Sequence, residues 1–407
     1  VKLIILLLAI ICCSNAQAGI LVFSPSTGAY TTKADLTSAA QDGDTAGKTI
    51  IVTSALTAVQ SNISSATLHA WPSDRALKVE KGGSIACTTK FAGLPYAEPE
   101  WFGAFPDGNV YTTAMNTVAA VANTGTQINF RAGTYLTATP WNFTIPVKLI
   151  GVPGTRIKLS SGSNAYVLQL NGTGGSPAYM IKPVLRDLIL DGGGHATDGL
   201  VLKGTVSGEF SNIRTTNVTG AGLHAVNLGT QSAEFRNYKC SSLVEAFTTQ
   251  PANGILIDGT GDSSSNNTFV NPVIEGVSGS GIKWLSAINN VVINGTSESN
   301  NVAIELGETA PSAGTRAADN TFIGMDNESN TATLDVILRA TAYRNTFNSI
   351  RTGGMSFLSA GENNVFGGVL INGATLDTNS YYNFLSGVAM YSTGATITDN
   401  GSAGSYN

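Results

Sequence analysis

Six side chains in the middle of this 407-residue chain have the chemistry to work on a charged polymer: Asp198, His224, Asp258, Glu305, Lys283 and Trp284. Hydrolysis of a glycosidic bond needs two carboxyl groups flanking it, one of them protonated. Elimination from a uronate needs a base at C5 and a cation that holds the carboxylate, supplied by Lys, Arg or a metal. Asp198, His224, Asp258 and Glu305 are therefore read as catalytic candidates, and Lys283 with Trp284 as a substrate-binding pair of cation and stacking ring. His224 is one of three histidines in the chain, and histidine ordinarily titrates closest to neutrality. Each residue also has a plain structural alternative. Asp198 could cap a turn before Gly199, and His224 could sit at a corner. Lys283 could be solvated with Trp284 packed inward. Asp258 and Glu305 could be ordinary acids on an exposed face.

The elements that would carry these residues are short and repeat. Glycine-led aliphatic runs recur as Gly199-Leu200-Val201-Leu202, Gly222-Leu223-His224-Ala225, Gly254-Ile255-Leu256-Ile257 and Gly281-Ile282-Lys283-Trp284, followed by Asn301-Val302-Ala303-Ile304. Their period-2 alternation marks half-buried strands. It turns Leu200, Leu223, Ile255, Ile282 and Ile304 inward and His224, Lys283 and Glu305 outward. Asparagine corners recur beside them: Asn266-Asn267, Asn289-Asn290, Asn320, Asn345, Asn363-Asn364 and Asn383, each before an apolar run. Spacings of roughly 20 to 30 residues identify a solenoid whose loops vary while its coil is constant. One coil cannot bury its apolar residues alone, so coils stack into a column. Asparagine at a corner can bond its own backbone and the coil above. The fold class is all-β, a single-chain parallel β-helix.

Composition agrees. Only 12% of residues are charged, against roughly 25% in an average globular protein. Gly (46 residues), Ser, Thr and Asn supply the polarity, and 42% of the chain is hydrophobic, which excludes disorder. Many short strands joined by tight turns suit this usage. The net charge of −5 argues against nucleic acid or an anionic membrane as partner, since both call for a basic face.

Three segments are expected. Residues 1–18 read as a secretory signal, with Lys2, an apolar stretch from Leu3 to Ile11, and the cleavage pattern Ala16-Gln17-Ala18. Residues 19–100 form a small N-terminal β cap region, because an uncovered last coil would expose apolar core and strand edges. Residues 101–407 form the solenoid. After signal removal two cysteines remain, Cys87 and Cys240, read as separate buried thiols. No cofactor is called. Calcium has no Asp-rich ligand loop, and a site could arise only where corners bring carboxylates together.

The stretch Glu100-Trp101-Phe102-Gly103-Ala104, Asp107-Gly108, a polar-to-alanine-rich segment over 112–122, and Ile128-Asn129-Phe130-Arg131-Ala132-Gly133-Thr134-Tyr135 resembles the opening of the pectate-lyase-like superfamily. Val147-Lys148-Leu149-Ile150-Gly151 is similar to the coil that follows in that superfamily. The same stretch, with Lys81-Gly82-Gly83, also resembles tailspike-type β-helices. The resemblance implies a right-handed parallel β-helix capped by a short helix. Arg131 stands where the pattern has Pro, and Asn109 to Thr113 replace an acidic pair. Thr197-Asp198-Gly199 resembles the strand opening of the polygalacturonase-like hydrolases. Their Asp-Asp pair is absent from the chain, and Arg156-Ile157-Lys158 lies upstream of Asp198, the reverse of their order.

The expectation is a secreted or cell-surface β-helix protein that binds an extended, uronate-containing glycan and cleaves it as a lyase or hydrolase. The alternative is a non-catalytic adhesive, fibre-like or structural protein. Oligomeric state is left open.

Overall fold

The computed structural model describes residues 20–23, 35–42, 46, 49–61, 76–86, 96–172, 179–226, 230–258, 264–310, 315–328, 330, 335–392 and 395–400. The expected signal segment, Cys87 and the final residues 401–407 lie outside them. The chain forms two compact units, one from Val1–Phe105 with Thr113–Asn129, the other from Pro106–Thr112 with Phe130–Asn407.

In the first unit, strands Ile20–Phe23, Thr49–Val52 and Ala76–Val79 make a three-stranded parallel sheet. The short helix Leu36–Gln41 starts where the Asp35 carboxylate accepts from the Ser38 N–H, satisfying one of the donors a helix start leaves open. The alanine-rich segment is the helix Thr112–Val121, which buries Met115, Val118 and Val121. Their three-residue spacing places them along one side.

The second unit is a parallel β-helix. The coil made of strands Ser264–Ser265, Thr268–Val270, Val273–Glu275 and Ser280–Trp284 pairs, strand for strand and in parallel, with Ala287–Ile288, Val291–Ile293, Thr296–Glu298 and Val302–Leu306 of the next. Repetition produces a long sheet of eleven strands, running from Trp141–Phe143 to Thr396–Asp399, and a seven-stranded sheet of two-residue strands. A third sheet carries strands that bend midway.

Identical positions stack on one another down the core. Phe210, Phe235 and Phe269 lie in register, with stacked rings 4.7 and 4.5 Å apart. The next residue in that file is Val292, followed by Phe322 and Phe347. Between Phe269 and Phe322 the ring of Trp284 enters the core from the long sheet, tilted against them at 5.8 and 5.2 Å. Leu200, Leu223, Ile255, Ile282 and Ile304 are all buried, as the alternation requires.

The asparagine corners form a buried ladder. Each amide nitrogen donates to the next side-chain carbonyl from Asn267 to Asn290, Asn320, Asn345, Asn363 and Asn383, at 2.8, 3.1, 2.9, 3.0 and 3.1 Å. Each rung's oxygen also accepts the backbone N–H of the preceding rung. A buried backbone donor without a partner costs about 1–3 kcal/mol, so the ladder holds the corner shape. The rung is Asn363, not its neighbour Asn364. The residue before every rung, from Asn266 to Tyr382, takes φ between 52° and 59°. Among residues with a side chain that left-handed step is tolerated best by asparagine and aspartate, yet Arg344, Glu362 and Tyr382 also adopt it.

Cys240 is a free thiol buried in this core, its pKa pushed up to about 12 by burial.

Candidate functional site: a charged strip on the long sheet

All six candidate residues lie on the long sheet, and the register explains which of them meet. Val201, His224, Leu256, Lys283, Glu305 and Ile337 are aligned strand by strand along its outer face. Asp198 belongs to the file of strand starts that continues through Ala221 and Asn253. The glycine after it is required by space: a Cβ on Gly199 would lie 2.5 Å from the carbonyl oxygen of Gly222 and 2.8 Å from Thr215.

Asp198 is buried, with one oxygen accepting the Ala221 N–H at 2.8 Å. Its other oxygen lies 2.8 Å from His224 Nδ1, and His224 Nε2 lies 2.9 Å from Asp258 on the following coil. Both ring nitrogens therefore face carboxylates. Burial by itself would lower the pKa of His224. The hydrogen bonds and charges of Asp198 and Asp258 outweigh it and raise the pKa from 6.5 to about 9. The ring is thus an imidazolium at neutral pH, donating from both nitrogens. The Asp258 side chain is 35% exposed against 12% for Asp198. Asp198 is the anchor and Asp258 the solvent-facing member.

A second cluster follows on the next three coils. Ser280 Oγ donates to Glu305 at 2.8 Å, Arg339 Nε donates to its other oxygen at 2.7 Å, and Lys283 Nζ lies 3.2 Å away. Burial would raise the Glu305 pKa, but the Ser280 and Arg339 hydrogen bonds and the charges of Lys283 and Arg339 bring it below the ordinary value. The carboxylate is thus held in its ionised form among Ser280, Arg339 and Lys283. The expectation for Trp284 is corrected. It is fully buried between Phe269 and Phe322, because its strand position is inward, in register with buried Ile257 and Leu306, and it offers no ring to a sugar. Lys283 remains partly exposed beside Glu305.

Sequence reasoning missed Ser280 and Arg339, which have no motif and meet Glu305 only through coil register. It also missed a network on the bent sheet. Arg156 donates to Asp191 at 2.6 Å and to both oxygens of Glu245 at 2.6 and 2.8 Å. The alternation of Arg156 and Lys158 was the available signal, since it places both on one outer face. Asp191 is 1% exposed. Among the described residues, no group of three or more His, Cys, Asp or Glu could hold a metal ion.

A column of parallel coils defines the fold, with the charged strip on its eleven-stranded sheet. The chain has a right-handed parallel β-helix fold, shared with solved structures of low sequence identity. It is similar to the endo-xylogalacturonan hydrolase of Aspergillus tubingensis, at 14% identity and TM-score 0.51, covering 76% of this chain and 96% of that one. It is also similar to the catalytic unit of the GH87 α-1,3-glucanase of Streptomyces thermodiastaticus, at 14% identity and TM-score 0.51, covering 78% and 71%. ORF18 of Geobacillus virus E2 matches at 15% identity and TM-score 0.46, with 60% of its length spanned. No family model and no curated protein matches the sequence.

Proposed function

We propose that this is a secreted protein that binds an extended, uronate-containing polysaccharide along the outer face of the long sheet and cleaves it at His224. The observation that carries this reading is the imidazolium of His224 set 2.9 Å from the solvent-facing carboxylate of Asp258. Any glycosidic cleavage needs a proton for the departing oxygen, and a histidine that holds its proton to about pH 9 can deliver it. The adjacency of donor and acceptor suits elimination, in which a proton leaves C5 and another reaches the leaving oxygen on the same face. In that scheme Asp258 receives the C5 proton, His224 Nε2 protonates the departing oxygen, and the sugar is left with a new double bond. Asp198 is a positioning residue that holds Nδ1. Inverting hydrolysis would need acid and base on opposite faces, with carboxyl groups roughly 6.5–9.5 Å apart. The solved structures similar to this one include a glucanase and a xylogalacturonan hydrolase, which supports a glycan as partner.

The second reading is a non-catalytic glycan-binding or fibre-like column. One observation favours it: the positions of Asp198, His224 and Asp258 recur three coils later as Ser280, Glu305 and Arg339, where the cluster is sealed. The deciding experiment incubates the protein and its H224A and D258N variants with uronate-rich and neutral polysaccharides. Ultraviolet absorbance of unsaturated ends and reducing-end release are followed together. Unsaturated ends from the wild type alone support elimination, and reducing ends without them point to hydrolysis. Retained binding with no product from any polymer establishes the non-catalytic reading.

A further inference from the structure

The bent sheet carries a second feature, away from His224. Its strands Val184–Asp191 and Glu209–Thr216, and those that stack on them, break at residues in the left-handed region: Asp187, Asn212, Asn237 and Asn271, with φ of 56°, 53°, 54° and 51°. Four breaks on consecutive coils at equivalent places fold the sheet's outer face into a trough. A cavity of about 510 Å³ occupies it, within the range of roughly 300–1,000 Å³ typical of ligand sites.

The trough has a repeating polar edge. The Asn212 amide donates to Asp187 at 2.7 Å, Asn237 to Asn212 at 3.0 Å, and Asn271 to Asn237 at 3.3 Å. Unlike the buried ladder at the other end of strand Thr268–Val270, these asparagines are exposed. Each rung uses one donor and one acceptor lone pair. The second amide proton and the remaining lone pair stay available to a ligand's hydroxyl groups. Two cations stand beside the ladder on neighbouring strands, Arg214 and Lys239, which are paired in register. Neighbouring parallel strands are roughly 4.8 Å apart, so two like charges sit side by side. Lys239 makes no ion pair among the described residues. Arg214 reaches Glu245 only at 3.4 Å, and Glu245 is already held by both contacts from Arg156. Asp187 is the acidic residue in the lining, at one end of the ladder.

We infer that this trough is a second glycan-binding site, taking a carboxylated oligosaccharide that lies along the column axis. Hydroxyl groups meet the asparagine ladder, and uronate carboxylates meet Arg214 and Lys239. A ligand extended along the axis would present the same groups to each coil, which matches a ladder that repeats by coil. The inference rests on the uronate reading for its choice of polymer, but not on His224 or on cleavage. A secondary site would hold the polymer while the long sheet works on another stretch of it, raising the effective concentration of substrate.

The test is affinity electrophoresis of the full chain through gels containing polygalacturonate or a neutral xylan, with folding checked by thermal melting. The variants are R214A/K239A, K239Q alone and H224A. The wild type and H224A are expected to be retarded by polygalacturonate and not by xylan. R214A/K239A is expected to bind at least fivefold more weakly, and K239Q to show a smaller loss. Equal retardation of K239Q and wild type would overturn the second site, and that variant decides even if R214A/K239A fails to fold. Loss of retardation in H224A alone would place all binding on the long sheet and also overturn it. A wild type that cleaves polygalacturonate without being retarded would sink the trough while leaving the proposed function intact. No retardation and no cleavage would sink both.

Discussion

Six successive coils of the long sheet hold two clusters built on the same lattice. In the first, Asp198 at a strand start reaches His224 on the next coil, and His224 reaches Asp258 on the coil after. In the second, Ser280 occupies the strand-start position, Glu305 the position of His224, and Arg339 the position of Asp258. The register shows the equivalence: Val201 pairs with His224 and Lys283 with Glu305, while Leu256 and Ile337 lie two residues before Asp258 and Arg339. The charges are inverted. One cluster is a cation between two carboxylates, the other a carboxylate among cations and a hydroxyl. Only the first contains an imidazole, which keeps its proton up to about pH 9. Arginine does not deprotonate in proteins, so the second cluster keeps its charge over the range in which an enzyme works. The same geometry thus supports chemistry in one place and cohesion in the other.

The largest expected effect separates the clusters by activity. H224A should lower cleavage by roughly 10²–10⁴-fold, the usual contribution of a positioned acid or base, while E305Q should leave the rate within a few fold. Initial rates of unsaturated-end release check both, and an E305Q loss equal to that of H224A would break the distinction. Next in size is stability. F347A, which opens the aromatic file beneath both clusters, should cost about 3–5 kcal/mol in urea unfolding. N320A strips the acceptor from the backbone and side-chain N–H groups of Asn290 and should cost about 1–3 kcal/mol.

The third prediction concerns pH. The folded pKa of His224, about 9, lies above its ordinary 6.5. Its stabilising contribution is complete below about 6.5 and fades as pH rises to about 9. Glu305 is shifted the opposite way, so its contribution is present above the ordinary carboxylate value and lost only as acid protonates it. Urea midpoints should therefore fall between pH 6.5 and 9 in the wild type, and H224Q should flatten that slope while E305Q leaves it unchanged. The smallest effect is that of K283A. Arg339 and Ser280 still hold Glu305, so the loss should be under about 1 kcal/mol, measured by thermal melting.

The column was legible because its code is local and repeated. Leu200, Leu223, Ile255, Ile282 and Ile304 could be turned inward by alternation alone, and the asparagine corners announced a ladder by their spacing. His224 and Asp258 were legible as outward-facing groups, but not as partners. Trp284 was legible as well, since the alternation that turns Ile282 inward and Lys283 outward turns Trp284 inward, in register with buried Ile257 and Leu306. Glu305 was read as a free acid because Ser280 and Arg339 lie 25 and 34 residues away, at distances set by loops that carry no motif.

By itself, the sequence determined the coil: which residues alternate, which corners take asparagine, and where glycine is needed to admit a neighbouring strand. These are properties of one turn, and each turn repeats them. Only the tertiary structure decided which charges meet. Partners on different coils are brought together by the register between turns, and that register is the sum of loop lengths that differ from one turn to the next.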